Sequence, residues 1–115
     1  MSDRDALLFV RDILESISAI ESFLEGVTRE EFAADRKTFS ATIRELEIIG
    51  EASGKIPDHI KSKYPDVPWR MLKDFRNVLA HHYFGINVDI VWDIVRRKLP
   101  DLKQQVKDIA GRERT

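Results

Sequence analysis

Apolar residues recur at helical spacing along almost the whole chain, and this periodicity restricts the possible folds more than any other feature of the sequence. The first stripe predicts one long helix over residues 3–25 and consists of Leu7, Val10, Leu14, Ile17, Ile20 and Leu24. Gly26 can end this helix in a left-handed turn. Thr28 and Glu31 then form a capping-box pattern, which predicts a short helix whose apolar residue is Phe32.

A second long helix is predicted from Asp35, which can cap it, to about Gly54. Its inner face consists of Phe39, Ile43, Leu46, Ile49 and Ser53. Gly50 lies in the middle of this helix, where glycine costs about 1 kcal/mol relative to alanine. We therefore expect another backbone to approach closely at Gly50, whereas Gly54 is expected simply to end the helix.

Prolines organise the segment that follows. Residues 56–68 contain three of them, so this connector is expected to form a firm corner with a short helical turn at 58–63. Pro68 suits the first position of a third helix, because its missing N–H costs nothing there. The apolar stripe of this third helix consists of Leu72, Phe75 and Leu79.

The last predicted helix begins at Asn87 or Asp89, either of which can cap it. Its apolar stripe consists of Val91, Ile94, Val95, Leu99, Leu102, Val106 and Ile109. Pro100 should kink or interrupt this helix, and residues 111–115 are expected to be frayed. No strand alternation or repeat occurs. The sequence therefore predicts an all-α fold, an antiparallel four-helix bundle with additional short helices, in a single domain over 1–115.

The composition is compatible with a cytoplasmic protein. The sequence has no cysteine, no apolar run long enough to cross a membrane, and no N-terminal segment that resembles a secretory signal. The formal net charge is −1. Any contact with nucleic acid must therefore come from a local basic patch, because the overall charge does not attract a polyanion.

Four chemically capable residues lie close together near the end of the third predicted helix: Arg76, Asn77, His81 and Tyr83. Asn77 and His81 are four apart and share one helix face. Arg76 and His81 are five apart, which separates them by roughly 140° on a regular helix. They can act on one phosphate if the helix loosens near Ala80, or if a second chain completes the site. A plainer interpretation gives Arg76 a structural salt bridge and His81 a helix-terminal position favoured by the helix dipole.

Three charged residues, Arg44, Glu47 and Glu51, share a face of the second predicted helix. One interpretation is a solvated ladder of ion pairs, each worth a few tenths of a kcal/mol. The other is that Glu47 or Glu51 orients Arg76 or lines a cleft beside it. The pattern alone leaves both interpretations open.

Arginine and histidine are the residue types that RNA cleavage without a metal needs. Histidine titrates near neutrality and can accept or donate a proton, while the guanidinium offers a fixed fork of donors to phosphate oxygens. A metal site is not expected, because His81 and His82 diverge on a helix and no cysteine or carboxylate stands at ligand spacing. We predict no cofactor, and we interpret His82 as a packing or RNA-contacting residue.

Three blocks of the sequence, in this order, carry a family resemblance. They are Arg-Glu-Leu-Glu-Ile-Ile-Gly-Glu-Ala at 44–52, Val-Pro-Trp at 67–69, and Arg-x4-His-x-Tyr at 76–83. Together they resemble the HepT-like ribonuclease toxins of the HEPN superfamily. The resemblance implies a HEPN-like helical fold and an endoribonuclease that acts as a homodimer on RNA. It also implies that Arg76 and His81 are catalytic, with Asn77 as a polar supporter.

The same resemblance implies regulation by a partner. It predicts the toxin of a type VII toxin–antitoxin system, in which a nucleotidyltransferase antitoxin of the MntA type attaches AMP from ATP to Tyr83. The rival hypothesis is a catalytically silent HEPN-like helical module that docks a nucleotidyltransferase partner or a nucleotide, since one fold can host many functions. The presence of both Arg76 and His81 favours the enzyme.

Overall fold

The computed structural model describes residues 3–81 and 85–114, and every regular element within those ranges is helical. In chain order the elements are α1 (Asp3–Leu24), α2 (Arg29–Ala34), α3 (Arg36–Lys55), α4 (Asp58–Lys61), α5 (Trp69–His81), α6 (Val88–Asp93), a π-helical segment (Ile94–Lys98) and α7 (Leu99–Arg112). The predicted all-α fold is confirmed, and the antiparallel four-helix bundle stays a prediction. Across these ranges no helix combines the length and the apolar character that a membrane span requires.

The apolar core is formed mainly by the long helices. α1 packs along α3 and α7, and α3 packs along α5. The α1 side chains that this packing buries almost completely are Val10, Ile13, Ile17, Ile20 and Leu24. Leu7 and Leu14, which the predicted stripe included, are only half-buried. They lie at the edge of the buried arc, because Ile13 extends that arc in the other direction around the helix.

Local hydrogen bonds confirm the predicted caps. Gly26 has a φ of 71° and follows α1 in the predicted left-handed turn. At the start of α2 the Thr28 hydroxyl accepts a bond from the Glu31 N–H at 3.1 Å, and the Glu31 carboxylate accepts one from the Thr28 N–H at 3.0 Å. Asp35 caps α3, and Asn87 is the residue that caps α6.

The last helix passes Pro100 without stopping. The chain stays helical from α6 to the end of α7, so the predicted interruption takes the form of the π-helical segment Ile94–Lys98. At its end the Leu99 N–H donates to the carbonyl of Ile94, five residues earlier. A turn of this kind accommodates the proline, because the missing donor and the bulk of the ring fall where α-helical bonding is already replaced.

The prediction that residues 111–115 are frayed is wrong for the part that the structure describes. α7 continues to Arg112, and the Glu113 carboxylate accepts bonds from the Tyr64 hydroxyl at 2.6 Å and from Lys63 Nζ at 3.2 Å. The pKa of Tyr64 is raised to about 12, mainly by burial and to a smaller extent by the bond to this carboxylate. The connector between α3 and α5 is thus fastened to the end of α7, and it is as firm as its prolines predict.

Candidate active site

Hydrogen bonds from the connector set the start of α5. The Trp69 indole Nε1–H donates to the Tyr64 carbonyl at 3.0 Å, and the Trp69 backbone N–H donates to the Val67 carbonyl at 2.8 Å. The Pro68 carbonyl accepts the first helical bond, from the Leu72 N–H at 3.0 Å. Pro68 therefore precedes α5 instead of occupying its first position. A proline suits this place as well, because no helical donor is lost there.

The helix is regular over the segment that carries the motif. It stays α-helical from Trp69 to His81, so the loosening considered near Ala80 does not occur. On such a helix Arg76 and His81 are separated by roughly 140° around the axis and about 7.5 Å along it. A single copy of α5 therefore turns these two residues to different sides.

The buried stripe of α5 places Arg76 at its border. Leu79 is completely buried and Leu72 nearly so, while Phe75 is half-buried. Arg76 is also half-buried, as expected for a residue beside the stripe, and Asn77 is exposed. The aliphatic stem of an arginine in this position can pack against the core while its charged end stays in water.

Gly50 is a point of close approach between α3 and α5. A Cβ built on Gly50 would lie 2.4 Å from the Cβ and 3.0 Å from the Cγ of Arg76, and 3.3 Å from the Leu72 carbonyl oxygen. The predicted close approach at Gly50 is therefore confirmed, and the group that approaches is the stem of Arg76 itself. Gly54 has open space where its Cβ would be, so no close approach occurs there; α3 continues one residue beyond it to Lys55, and its C-cap is Ile56.

The guanidinium of Arg76 makes no hydrogen bond or ion pair within residues 3–81 and 85–114, so the predicted structural salt bridge is not present there. The carboxylates considered as its partners both turn to Arg44, Glu47 at 3.4 Å and Glu51 at 3.9 Å. The ladder of ion pairs is thus present, while neither carboxylate pairs with Arg76. Glu51 in addition lines the groove into which Arg76 projects.

We call this depression, between the C-terminal half of α3, α4 and α5, the basic groove. Five described cations line it: Lys55, Lys61, Arg70, Lys73 and Arg76. The described carboxylates in its lining are Glu51, Asp58 and Asp74. The groove is therefore locally positive in a chain whose net charge is −1. Sequence reasoning missed this group, although the every-third-residue spacing of Arg70, Lys73 and Arg76 was a signal for it.

The structure places only part of the predicted motif. The side chain of His81, and all of His82 and Tyr83, lie outside the described residues, so their predicted roles stay predictions. His59 on α4 is an exposed surface histidine, as predicted. Among the described residues no group of three or more His, Cys, Asp or Glu side chains is arranged to hold a metal ion.

The flank of α5 opposite the basic groove is apolar and open to solvent. Met71 is 40% exposed and Val78 is 47% exposed, and Ile90 on α6 is 57% exposed. Met71 and Phe75 also line an apolar pocket of about 250 Å³ that reaches Ile94. We call Met71, Phe75 and Val78, which lie on one side of α5, the apolar flank. Apolar side chains grouped in this way are typical of a surface that associates with another protein or another copy.

Comparison with known proteins places the chain among ribonuclease relatives. The family model described as "Ribonuclease HepT-like" matches residues 13–109. A Methanocaldococcus jannaschii protein named as a candidate RNase is 44% identical over 117 residues, which cover 98% of this chain and 97% of the relative. A Thermococcus cleftensis protein named "Probable ribonuclease HepT" is 44% identical over 95 residues, 83% of this chain and 86% of the relative.

A second candidate RNase of Methanocaldococcus jannaschii is 41% identical over 107 residues, 93% of this chain and 98% of that relative. No solved structure matches the chain significantly. The family-model match spans α3 and α5 and so includes Gly50 and the residues that line the basic groove.

Proposed function

The chain belongs to the ribonuclease HepT-like family, and from this premise we propose that it is an endoribonuclease that cleaves RNA at Arg76 and His81 without a metal. One observation carries the proposal. The Arg76 guanidinium has no partner among the described residues, while its stem is held against Gly50 at the edge of a locally positive groove. A guanidinium whose stem is held in place and that pairs with no described carboxylate is available to a phosphate.

The proposed reaction is attack by the ribose 2′-hydroxyl on the adjacent phosphorus. The bond between O2′ and phosphorus forms, the bond between phosphorus and O5′ breaks, and the two products end in a 2′,3′-cyclic phosphate and a 5′-hydroxyl. One group must take the proton of the 2′-hydroxyl and another must protonate the leaving oxygen; His81 has the chemistry for either role. Arg76 stabilises the charge that develops on the phosphoryl oxygens, and Asn77 supports the site as a polar neighbour on the face of His81.

The active unit in this proposal is a symmetric homodimer. A regular α5 turns Arg76 and His81 to different sides, so one chain does not readily complete the site. The apolar flank lies on the same helix as both residues and offers a surface for a second copy. A two-fold interface would bring both motifs to one RNA backbone, let Arg76 of one chain act with His81 of the other, and raise the local positive charge.

The chemistry is tested with purified, unmodified protein and RNA in excess EDTA. We expect cleavage to persist, to yield 2′,3′-cyclic phosphate ends or their hydrolysed products, and to disappear in His81→Ala. His59→Ala is the matched control, because it removes an exposed histidine from α4 and should cleave like the wild type. Products with a 5′-phosphate would show that water attacks instead. Wild-type protein of verified mass that cleaves no RNA would favour the silent docking module.

In the cell, the proposed ribonuclease is the toxin of a type VII toxin–antitoxin pair in the cytoplasm. Its partner is a nucleotidyltransferase antitoxin that transfers AMP from ATP to Tyr83, two residues after His81. Each AMP adds a phosphodiester charge and a bulky nucleoside beside the place where the RNA phosphate binds. Like-charge repulsion and steric blockade would then inhibit cleavage together.

Intact-mass analysis after co-expression with a nucleotidyltransferase of the MntA type tests this modification. We expect increments of AMP on the wild type and none on Tyr83→Phe. The test is clean because the chain has two tyrosines, and the other one, Tyr64, is 8% exposed and bonded to Glu113. Increments that persist on Tyr83→Phe would move the site elsewhere. An unmodified wild type that a bound partner still inhibits would show that the antitoxin acts by masking.

A further inference from the structure

We propose that the basic groove binds the RNA strand on one side of the cleaved phosphate, with Lys73 and Arg70 contacting the neighbouring backbone phosphates. The inference rests on the proposed function, because it takes the cleaved phosphate to lie at Arg76. It assigns a binding role to two residues outside the motif. It also predicts that the enzyme holds several nucleotides of its substrate instead of a single phosphodiester.

The spacing of the cations along α5 fits a row of phosphates. Arg70, Lys73 and Arg76 follow one another at every third residue and all line the groove. Each step advances about 4.5 Å along the helix axis. Their long side chains can extend or fold to meet successive phosphates, and neither Arg70 nor Lys73 has an ion pair within the described ranges.

The opposite wall of the groove carries two lysines, Lys55 and Lys61, that pair with no carboxylate among the residues that the structure describes. The Lys61 ammonium lies 5.7 Å from the centre of the Trp69 ring, and the Lys55 ammonium lies 5.6 Å from the centre of the Phe9 ring. A ring face attracts a cation without neutralising it, so both ammonium groups keep a full positive charge for an anion.

The cationic side chains along the walls of the groove and the backbone of its floor together favour a nucleic-acid backbone as the ligand. Of the three carboxylates in the lining, Glu51 is drawn towards Arg44, which weakens its opposition to an anion. The floor includes Gly54, which provides backbone without a side chain and has nothing within 4 Å of the place of its Cβ. A smooth floor between rows of cations suits a repeating chain of phosphates, whereas recognition of an acidic peptide normally adds pockets for individual side chains.

The experiment measures binding of a 2′-O-methyl RNA oligonucleotide, which lacks the attacking hydroxyl and is not cleaved, as a function of salt. For Arg70→Gln/Lys73→Gln we expect weaker binding and a slope of log K against log salt that is less steep by about 1.4, the value for two lost single-strand phosphate contacts. The matched control is Arg36→Gln/Lys37→Gln. It removes the same charges from the exposed start of α3, roughly 20 Å along the helix from Gly50, and should leave the slope unchanged.

Gly54→Leu supplies an independent test that changes no charge. Nothing lies within 4 Å of a Cβ at Gly54, so the fold has room for the new side chain, which should obstruct the groove and weaken binding. Wild-type slopes in Arg70→Gln/Lys73→Gln, or unchanged binding in Gly54→Leu, would overturn the inference. So would equal binding of a poly-glutamate peptide of matched charge.

The cleavage kinetics separate this inference from the proposed function. Arg70→Gln/Lys73→Gln should raise KM and leave kcat near the wild-type value, because flanking contacts are made equally before and during the reaction. Protein that binds the oligonucleotide through the groove but never cleaves RNA would contradict the proposed function alone. If Arg70→Gln/Lys73→Gln cleaves RNA with the same KM as the wild type, the result would contradict only the proposed role of the groove.

Discussion

Replacement of Arg76 by alanine should lower RNA cleavage about 100- to 1,000-fold, the usual loss when one preorganised donor to a developing oxyanion is removed. The free energy of unfolding should change by less than about 1 kcal/mol, because alanine keeps the Cβ that meets Gly50 and no described ion pair is broken. Arg76→Lys should recover only part of the activity, since an ammonium lacks the planar fork that holds two phosphoryl oxygens. Single-turnover cleavage and urea denaturation measure the two quantities.

Arg36→Ala is the control for this replacement, because it removes an exposed arginine from the other end of α3. It should cleave RNA at the wild-type rate. Wild-type cleavage by folded Arg76→Ala would remove Arg76 from the mechanism. Loss of helicity in Arg76→Ala would instead assign the residue a structural role that its contacts do not predict.

Mixing Arg76→Ala with His81→Ala asks whether the site is shared between two chains. If each site takes Arg76 from one protomer and His81 from the other, a mixed dimer contains one site with both residues intact. Random reassortment should then restore about a quarter of the wild-type activity, because half the dimers are mixed and each has one working site. If both residues act within one chain, the mixture stays inactive.

Among the five glycines of the chain, Gly50 should be the one whose replacement by alanine lowers activity most. The Cβ of this alanine would overlap the Cβ of Arg76, and both atoms are attached rigidly to helices, so α3 and α5 must separate. Overpacking of this kind costs about 1–3 kcal/mol, offset by about 1 kcal/mol of helix propensity. Displacement of the Arg76 guanidinium should lower kcat by about 100-fold, since misplacing a positioned group by roughly 1 Å slows a reaction by this factor.

Two further variants separate positioning from simple loss of stability. Gly111→Ala places a methyl group in open space on α7, and it should raise stability slightly and leave cleavage unchanged. The double variant Gly50→Ala/Arg76→Gly lacks the Cβ that the new methyl group would overlap, and it should be no less active than Arg76→Gly alone, because Gly50 acts only through Arg76. A further drop in the double variant, or full activity in Gly50→Ala, would show that Gly50 does not position the arginine.

The caps and the buried stripes could be predicted because their causes are local. Thr28 and Glu31 bond to each other across three residues, and Asp35 bonds to the N–H of Thr38 three residues ahead. The stripes need only the period of the helix, which any continuous apolar spacing reveals. The close approach at Gly50 could be predicted in part, since a glycine inside a helix indicates a close approach but does not show which residue approaches.

The remaining features depend on residues far apart in sequence. The stem of Arg76 meets Gly50 across 26 positions, and Lys55 and Lys61 join the α5 cations only because α3 and α4 pack beside that helix. The tail was predicted to fray because nothing near Glu113 in sequence could hold it. Its partner, Tyr64, is 49 residues away. Such pairings follow from the packing of whole helices, which one-dimensional patterns do not contain.

The bond between Tyr64 and Glu113 also has a consequence for synthesis of the chain on the ribosome. Tyr64 is made 49 residues before the carboxylate that holds it, and its carbonyl in turn holds the indole at the start of α5. The helix that bears Arg76 is thus translated well before the hydrogen bond between Tyr64 and Glu113, which holds the start of that helix in place, can form. Because a domain acquires its native packing as a unit, the nascent chain should carry an unfinished site until α7 has been made. In the proposed ribonuclease, cleavage of RNA should therefore begin only after α7 has been made.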